Sequence, residues 1–162
     1  MKISTRGRYG LRAMIDLALH EDEGRVTLAG IAARQDLSLN YLESIFSALK
    51  RAGFVIGTAG AQGGYSLARP ADQISLQSIL EALEGDLSVF EEADIGMPIR
   101  AFLKQHVWDV IDREVENTLY ATTLADMVKR IQLRNSSGEI PELKKKKKKP
   151  AANPYNFGEV FL

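Results

Sequence analysis

Cysteine is missing from this 162-residue chain, so the chain can form no disulfide and offers no thiolate to a metal ion or an iron-sulfur cluster. Histidine occurs only twice, and no Ser-His or paired-acid arrangement stands at a catalytic spacing, which leaves no enzyme site to assign. No apolar run approaches the roughly eighteen residues of a membrane helix, and no apolar segment follows the basic N-terminus. A cytoplasmic protein with neither a membrane span nor a signal peptide is expected. Net charge is missing too, with 21 basic residues balancing 21 acidic ones. That balance argues at first against nucleic-acid binding, because phosphate neutralisation dominates affinity for DNA.

The distribution of charge weakens the objection. Lys2, Arg6, Arg8 and Arg12 cluster at the start, Lys50 and Arg51 stand together mid-chain, and Lys144 to Lys149 form an unbroken run near the end. Without that run acids outnumber bases, so DNA affinity of the folded part must come from local patches.

The stretch from Thr27 to Leu67 organises the chain. Leu28 to Gln35 reads as a helix capped by Thr27, and Asp36-Leu37 as a turn. A second helix runs from Ser38, with Asn40 a rival cap, to Ala52, where Gly53 supplies a left-handed stop. At about 100° per residue, Leu39, Leu42, Ile45, Phe46 and Leu49 fall on one side, which is assigned to the core. Opposite lie Asn40, Ser44, Ser47 and Arg51, flanked by Tyr41, Glu43 and Lys50. Short polar side chains in such a ridge suit a helix that reads base edges in a major groove. An ordinary solvated face is the competing reading.

Phe54-Val55-Ile56 and Tyr65-Ser66-Leu67 read as paired strands around a tip, Gly57 to Gly64, rich in glycine. Without Cβ atoms such a tip can lie flat on a phosphate backbone or enter a minor groove. It lacks a Gly-Lys-Ser/Thr ending and a strand follows it, so a nucleotide-phosphate loop is disfavoured. Helix, turn, helix and hairpin together make a winged helix-turn-helix.

Around this unit, Thr5 to His20 reads as a helix with Tyr9, Leu11, Met14, Ile15, Ala18 and Leu19 on its apolar side. Ser75 caps a helix over Leu76 to Glu84, closed by Gly85, and an acidic loop follows to residue 97. Pro98 opens a long helix to about Thr118. Ile99, Phe102, Leu103, His106, Val107 and Val110 form one stripe on it, which Ile111, Val115 and Leu119 continue. An apolar arc that wide requires burial on two sides, and a second copy of the chain about a two-fold axis is the simplest cover. His106 is read as a core or interface residue rather than a metal ligand. Thr123-x-x-Asp126 has capping-box spacing before a short helix, Leu124 to Leu133. The lysine-rich tail reads as a solvated linker or as a non-specific nucleic-acid clamp, and its apolar end, Tyr155 to Leu162, as a docking segment.

Three segments, Lys2 to Gly10, Leu37 to Glu43 and Gly60 to Tyr65, together resemble the bacterial winged-helix regulators that include IscR, NsrR and CymR. The resemblance spans residues 1 to about 134. It implies a mainly α fold with a small β-hairpin: a winged helix-turn-helix domain at 1–85, a loop at 86–97, dimerisation helices at 98–134 and a tail at 135–162. It further implies a homodimeric, sequence-specific regulator, a repressor acting on a roughly palindromic site in double-stranded DNA. The DNA-binding residues are then Lys2, Ser4, Arg6, Arg8, Thr27, Ser38, Asn40, Tyr41, Glu43, Ser44, Ser47, Lys50, Arg51, Gly60, Gln62, Gly63, Gly64 and Tyr65. Dimerisation falls to Ile99, Phe102, Leu103, His106, Val107, Val110 and Ile111.

Some relatives bind an iron-sulfur cluster through three cysteines in that loop and the helix after it; this chain has none, so no cofactor is expected. Trp108, Thr122, Thr123 and Leu124 match the spacing in the cysteine-free branch that represses cysteine metabolism together with O-acetylserine thiol-lyase, an enzyme partner the resemblance extends to this chain. Where those relatives often carry arginine before the wing glycine, this chain has Ala59, and Ser44 replaces a frequent glutamine. Both departures point to a different target site, a weaker one, or a larger role for Gln62. Net neutrality and the missing arginine leave a second reading open, a winged helix that binds protein and has no DNA target.

Overall fold

The computed structural model describes residues 3–88 and 97–137. Lys2, most of the 86–97 loop, the lysine run and the apolar C-terminus lie outside the described residues.

Helix α1 (Thr5–His20) starts where the Ser4 hydroxyl accepts the backbone N–H groups of Arg6 and Gly7 at 3.0 and 3.3 Å. Two donors that no helical carbonyl could reach are thereby satisfied. Its buried face is Gly7, Gly10, Ala13, Met14 and Leu17, together with the acid Asp16. This corrects the expected stripe, of which only Met14 is fully buried, while Tyr9, Leu11, Ile15 and Ala18 pack along the edge of the core. The cause is close helix packing at the two glycines. A Cβ on Gly10 would run into the Leu83 side chain, and one on Gly7 into the Glu84 carboxylate.

Helix α2 (Leu28–Gln35) begins with the Thr27 hydroxyl accepting the Gly30 N–H at 3.1 Å and ends at Asp36, in the left-handed region at φ 53°. Helix α3 (Leu39–Arg51) buries Leu42, Ile45, Phe46, Ala48 and Leu49, and stops at Ala52 ahead of Gly53, at φ 76°. Leu39 does not join that face. It is 41% exposed in the first turn, at the margin of the packed surface.

Strands β1 (Val55–Thr58) and β2 (Gly64–Leu67) pair antiparallel from Val55 opposite Leu67 to Thr58 opposite Gly64. Phe54 precedes the strand rather than belonging to it, and fills the core instead. A third extended segment is an addition to the expected hairpin. The Val26 N–H donates to the Tyr65 carbonyl at 3.0 Å and the Tyr65 N–H to the Val26 carbonyl at 2.7 Å.

Helix α4 (Leu76–Glu84), capped by Ser75 and ended by Gly85 at φ 84°, packs across α1. Helix α5 (Pro98–Leu103) passes through a π-helical turn, Lys104–Trp108, into α6 (Asp109–Ala121), so the long helix runs past Thr118. Helix α7 (Leu124–Ser136) outlasts its expected end at Leu133 and opens with the reciprocal box: Thr123 N–H to Asp126 Oδ2 at 2.9 Å, and Asp126 N–H to Thr123 Oγ1 at 3.2 Å. Hydrogen bonds from Leu76 N–H to the Thr122 carbonyl and from Leu124 N–H to the Ile74 carbonyl, both 2.9 Å, lace its start to that of α4. Leu124 is fully buried, and α7 packs against α1.

Candidate nucleic-acid interface

Helix α3 is held by its apolar side, so what it shows to solvent follows from its period. Asn40, Glu43, Ser44, Ser47, Lys50 and Arg51 are all exposed. Among the described residues, none of these side chains has a hydrogen-bond or ion-pair partner. Unspent donors and acceptors along one helix edge can pair with base edges and phosphates. Ser38 is exposed and occupies the cap position without a side-chain capping bond, so its hydroxyl is likewise unspent. Lys50 and Arg51, in the last turn, also favour the helix through its dipole.

Tyr41 has a different setting. It is half-buried, meeting the Tyr9 ring edge-on at 5.9 Å and 86°, which fixes the start of α3 against α1. Arg12 lies 5.6 Å from the centre of the Tyr9 ring and donates to the Gln35 carbonyl at 2.5 Å, closing the C-terminus of α2. That arginine serves the fold.

The wing is braced to α3 by a ring contact, Tyr65 against Phe46 at 4.9 Å and 69°. The same ring covers Gly57, where a Cβ would stand 3.0 Å from it. Tyr65 therefore positions the wing from beneath. At the tip Gly60 has φ 103° and its carbonyl accepts the Gly63 N–H at 2.9 Å. A Cβ at Gly63 would crowd the carbonyls of Thr58 and Gly60, so the tip is tight as well as bare. Gln62 is exposed there. Gly64 lies against the Val26 carbonyl at φ 149°.

The N-terminal residues divide. The Ser4 hydroxyl donates to Glu84 Oε1 at 2.5 Å besides capping α1, so it is occupied, as is the Thr27 hydroxyl by its capping bond. Among the described residues, exposed Arg8 reaches only Thr5 Oγ1, at 3.2 Å, and Arg6 is half-buried. No acid stands in the first turn of α1, so both arginines add to the positive end of the helix dipole.

On the long helix Ile99 is 75% exposed and Phe102 60%, and Leu103, Val110 and Ile111 are also open. Val107 is half-buried. An apolar groove of about 390 Å³ runs along Val110, Ile111, Glu114, Val115, Thr118 and Leu119. The π turn adds a residue to one turn, rotating everything after it by about 100° relative to a regular helix. His106 stacks on Phe102 at 4.2 Å, and its Nδ1 is 3.0 Å from the Phe102 carbonyl. Among the described residues no three histidines or acids converge as a metal site.

Sequence reasoning missed three contributors: Asp16, Glu84 and Arg25. A hydrophobic pattern scores buried Asp16 as an error, yet Arg34 Nη2 at 2.6 Å and Gln35 Nε2 at 2.7 Å hold its carboxylate. Only the bridge between Val26 and Tyr65 brings Arg25 beside the hairpin.

Comparison with known proteins comes to the same place. The Rrf2 family profile, described as "Iron-dependent Transcriptional regulator", matches residues 3–130. The chain is 42% identical over 127 residues to the HTH-type transcriptional regulator CymR of Bacillus subtilis, covering 78% of this chain and 89% of that protein. It is 38% identical over 136 residues to the regulator IscR of Cereibacter sphaeroides, covering 80% and 88%. The solved structure of CymR, the global cysteine regulator of B. subtilis, superposes with a TM-score of 0.73 at 40% identity, over 80% of this chain and 98% of that one. The structure of T. potens IscR gives 0.66 at 42%, over 81% and 88%. Iron in the family description does not fit this chain as a thiolate-held cluster, since there is no cysteine to hold it.

Proposed function

From membership of the Rrf2 family of DNA-binding transcriptional regulators, to which this chain belongs and which are not enzymes, we propose that it is a homodimeric repressor of genes of cysteine or sulfur metabolism. The observation that carries the reading is the row of polar side chains on α3 and its cap, from Ser38 to Arg51, unpartnered among the described residues and beside a wing braced by Tyr65. Asn40, Glu43, Ser44 and Ser47 read base edges, Lys50, Arg51, Arg6 and Arg8 contact phosphates, and the bare tip with Gln62 lies along the backbone or in the minor groove.

Ile99, Phe102, Leu103, Val110 and Ile111 are too apolar to stay in water and are covered by the same face of a second protomer. Two recognition helices then meet a roughly palindromic operator. Likeness to a global cysteine regulator supports the choice of genes, and the lack of cysteine supports sensing without a cluster. The signal arrives through a protein, an enzyme of the O-acetylserine thiol-lyase type, with Tyr155 to Leu162 as a contact, and the protein works in the cytoplasm. Sedimentation tests assembly: a dimer at micromolar concentration is expected, and a larger species when that enzyme is added. A monomer removes the two-fold reading, and an unchanged enzyme complex after deletion of Tyr155 to Leu162 removes the tail contact.

A further inference from the structure

From Ala52 to Ala68, the whole wing and its flanks, the chain carries no charged residue. Any electrostatic grip the wing has on DNA must come from a neighbouring element. Val26 supplies that neighbour by pairing with Tyr65 through both backbone hydrogen bonds. Because Val26 and Tyr65 face the core, alternation puts Arg25 on the opposite, outer face, in the row that holds Ser66 and Ile56, which is 52% exposed. Arg25 is exposed, and its Cβ is 3.2 Å from where a Cβ of Gly64 would stand, so a bare glycine leaves room for it beside the strand. It has no hydrogen bond or ion pair with any other described residue, although Asp22 and Glu23 are close in sequence. The other arginine at the wing's base, Arg69, is engaged with the Phe54 ring at 4.8 Å and the Gly53 carbonyl at 3.4 Å.

We propose that Arg25, on the outer face beside the uncharged wing, is its phosphate-binding residue, gripping the DNA backbone next to the wing and thereby setting operator affinity and its salt dependence. This rests on the DNA-binding reading above. A phosphate contact made by one arginine contributes about 0.9 to the slope of log affinity against log salt.

Arg25→Gln should therefore flatten that slope by about two, because a dimer loses one contact per protomer, with operator affinity lower by at least about tenfold at low salt and the loss equal on unrelated DNA. Arg69→Gln should leave the slope as it is. Since the chain has no cysteine, Arg25→Cys offers a single attachment point for an iron-chelate cleavage reagent. Cuts at two positions symmetric about the operator centre are expected. An unchanged slope in Arg25→Gln, or no cleavage from position 25, overturns the proposal while operator binding by the native protein stands. Loss of salt-dependent binding in the native protein would overturn both readings.

Discussion

Removing Arg34 should destabilise this protein more than removing its partner. The carboxylate of Asp16 is about 1% exposed, inside the junction of α1 and α2. Arg34 binds it from the rim, with Nε 3.0 and 3.2 Å from the two oxygens and Nη2 at 2.6 Å, while Gln35 Nε2 adds a bond at 2.7 Å. His20 Nδ1 stands 3.5 Å away. Arg34→Ala strips three of these bonds and leaves a buried charge held by an amide, a change that typically costs about 3–5 kcal/mol. Because the arginine is 36% exposed, water can enter the gap, which puts the expected loss near the lower limit, about 3 kcal/mol. Asp16→Ala removes the charge that needed compensation, and Arg34 returns to water. Its loss should be about 1.5 kcal/mol, the lower end of the roughly 1.5–3 kcal/mol that hydrogen bonds to a charged group contribute, because Arg34 regains water. The double variant should then be less destabilised than the sum of the two by about 1–2 kcal/mol. Urea unfolding followed by circular dichroism, at one fixed protomer concentration, reads all four proteins. Equal losses for the single variants with strict additivity would refute the reasoning, since the pair would then behave as an exposed one.

Three further outcomes follow from the same geometry. Asp126 is held below its ordinary carboxylate value of 3.8, mainly by the Thr123 backbone N–H, then by the Thr123 hydroxyl, with Arg130 and Lys129 adding to the effect. The folded state therefore favours the carboxylate: its stabilisation is complete above the ordinary value and disappears as pH falls through the lowered one. Asp126→Asn should flatten the acid limb of a thermal-stability profile, and an identical limb would count against the capping box as its source. Tyr41→Ala and Gln62→Ala should each weaken operator binding about tenfold while leaving the dimer intact, and Tyr41→Ala should also lower stability through the lost contact with Tyr9. Near-native affinity in both would mean that the reading surface is misplaced. Phe102→Glu, at a position 60% exposed in the single protomer, should convert a dimer to a monomer in sedimentation and lower operator affinity by at least about a hundredfold. A persistent dimer would assign the long helix another role.

Much of this fold is legible in short-range chemistry. The caps at Ser4, Thr27, Ser75 and Thr123 and the stops at Gly53 and Gly85 are local, so the helices they bound start, and α3 and α4 end, within a residue or two of expectation, while α6 and α7, which have no glycine stop, each run three residues further. Most of what escaped depends on contacts distant in sequence. The face of α1 turns on Gly7 and Gly10, whose role appears only when α4 lies across them. Asp16 is buried because Arg34 and Gln35 come to it from another helix. The π turn at Lys104–Trp108 breaks the regular period assumed for the long helix, and Lys104 Nζ meets Asp109 at 2.6 Å across it. At the site, the ridge on α3 was readable from its period alone. The roles of Tyr41 and Tyr65 as braces, and the place of Arg25, required the third dimension.

The central claim is that this chain reads DNA as a two-fold symmetric dimer through α3 and the wing. Selection of genomic DNA fragments by the purified protein across a salt series tests it most directly. Enrichment of a two-fold symmetric motif beside genes of sulfur metabolism is expected, with affinity falling steeply as salt rises. Absence of any enriched motif at low and at physiological salt would contradict it.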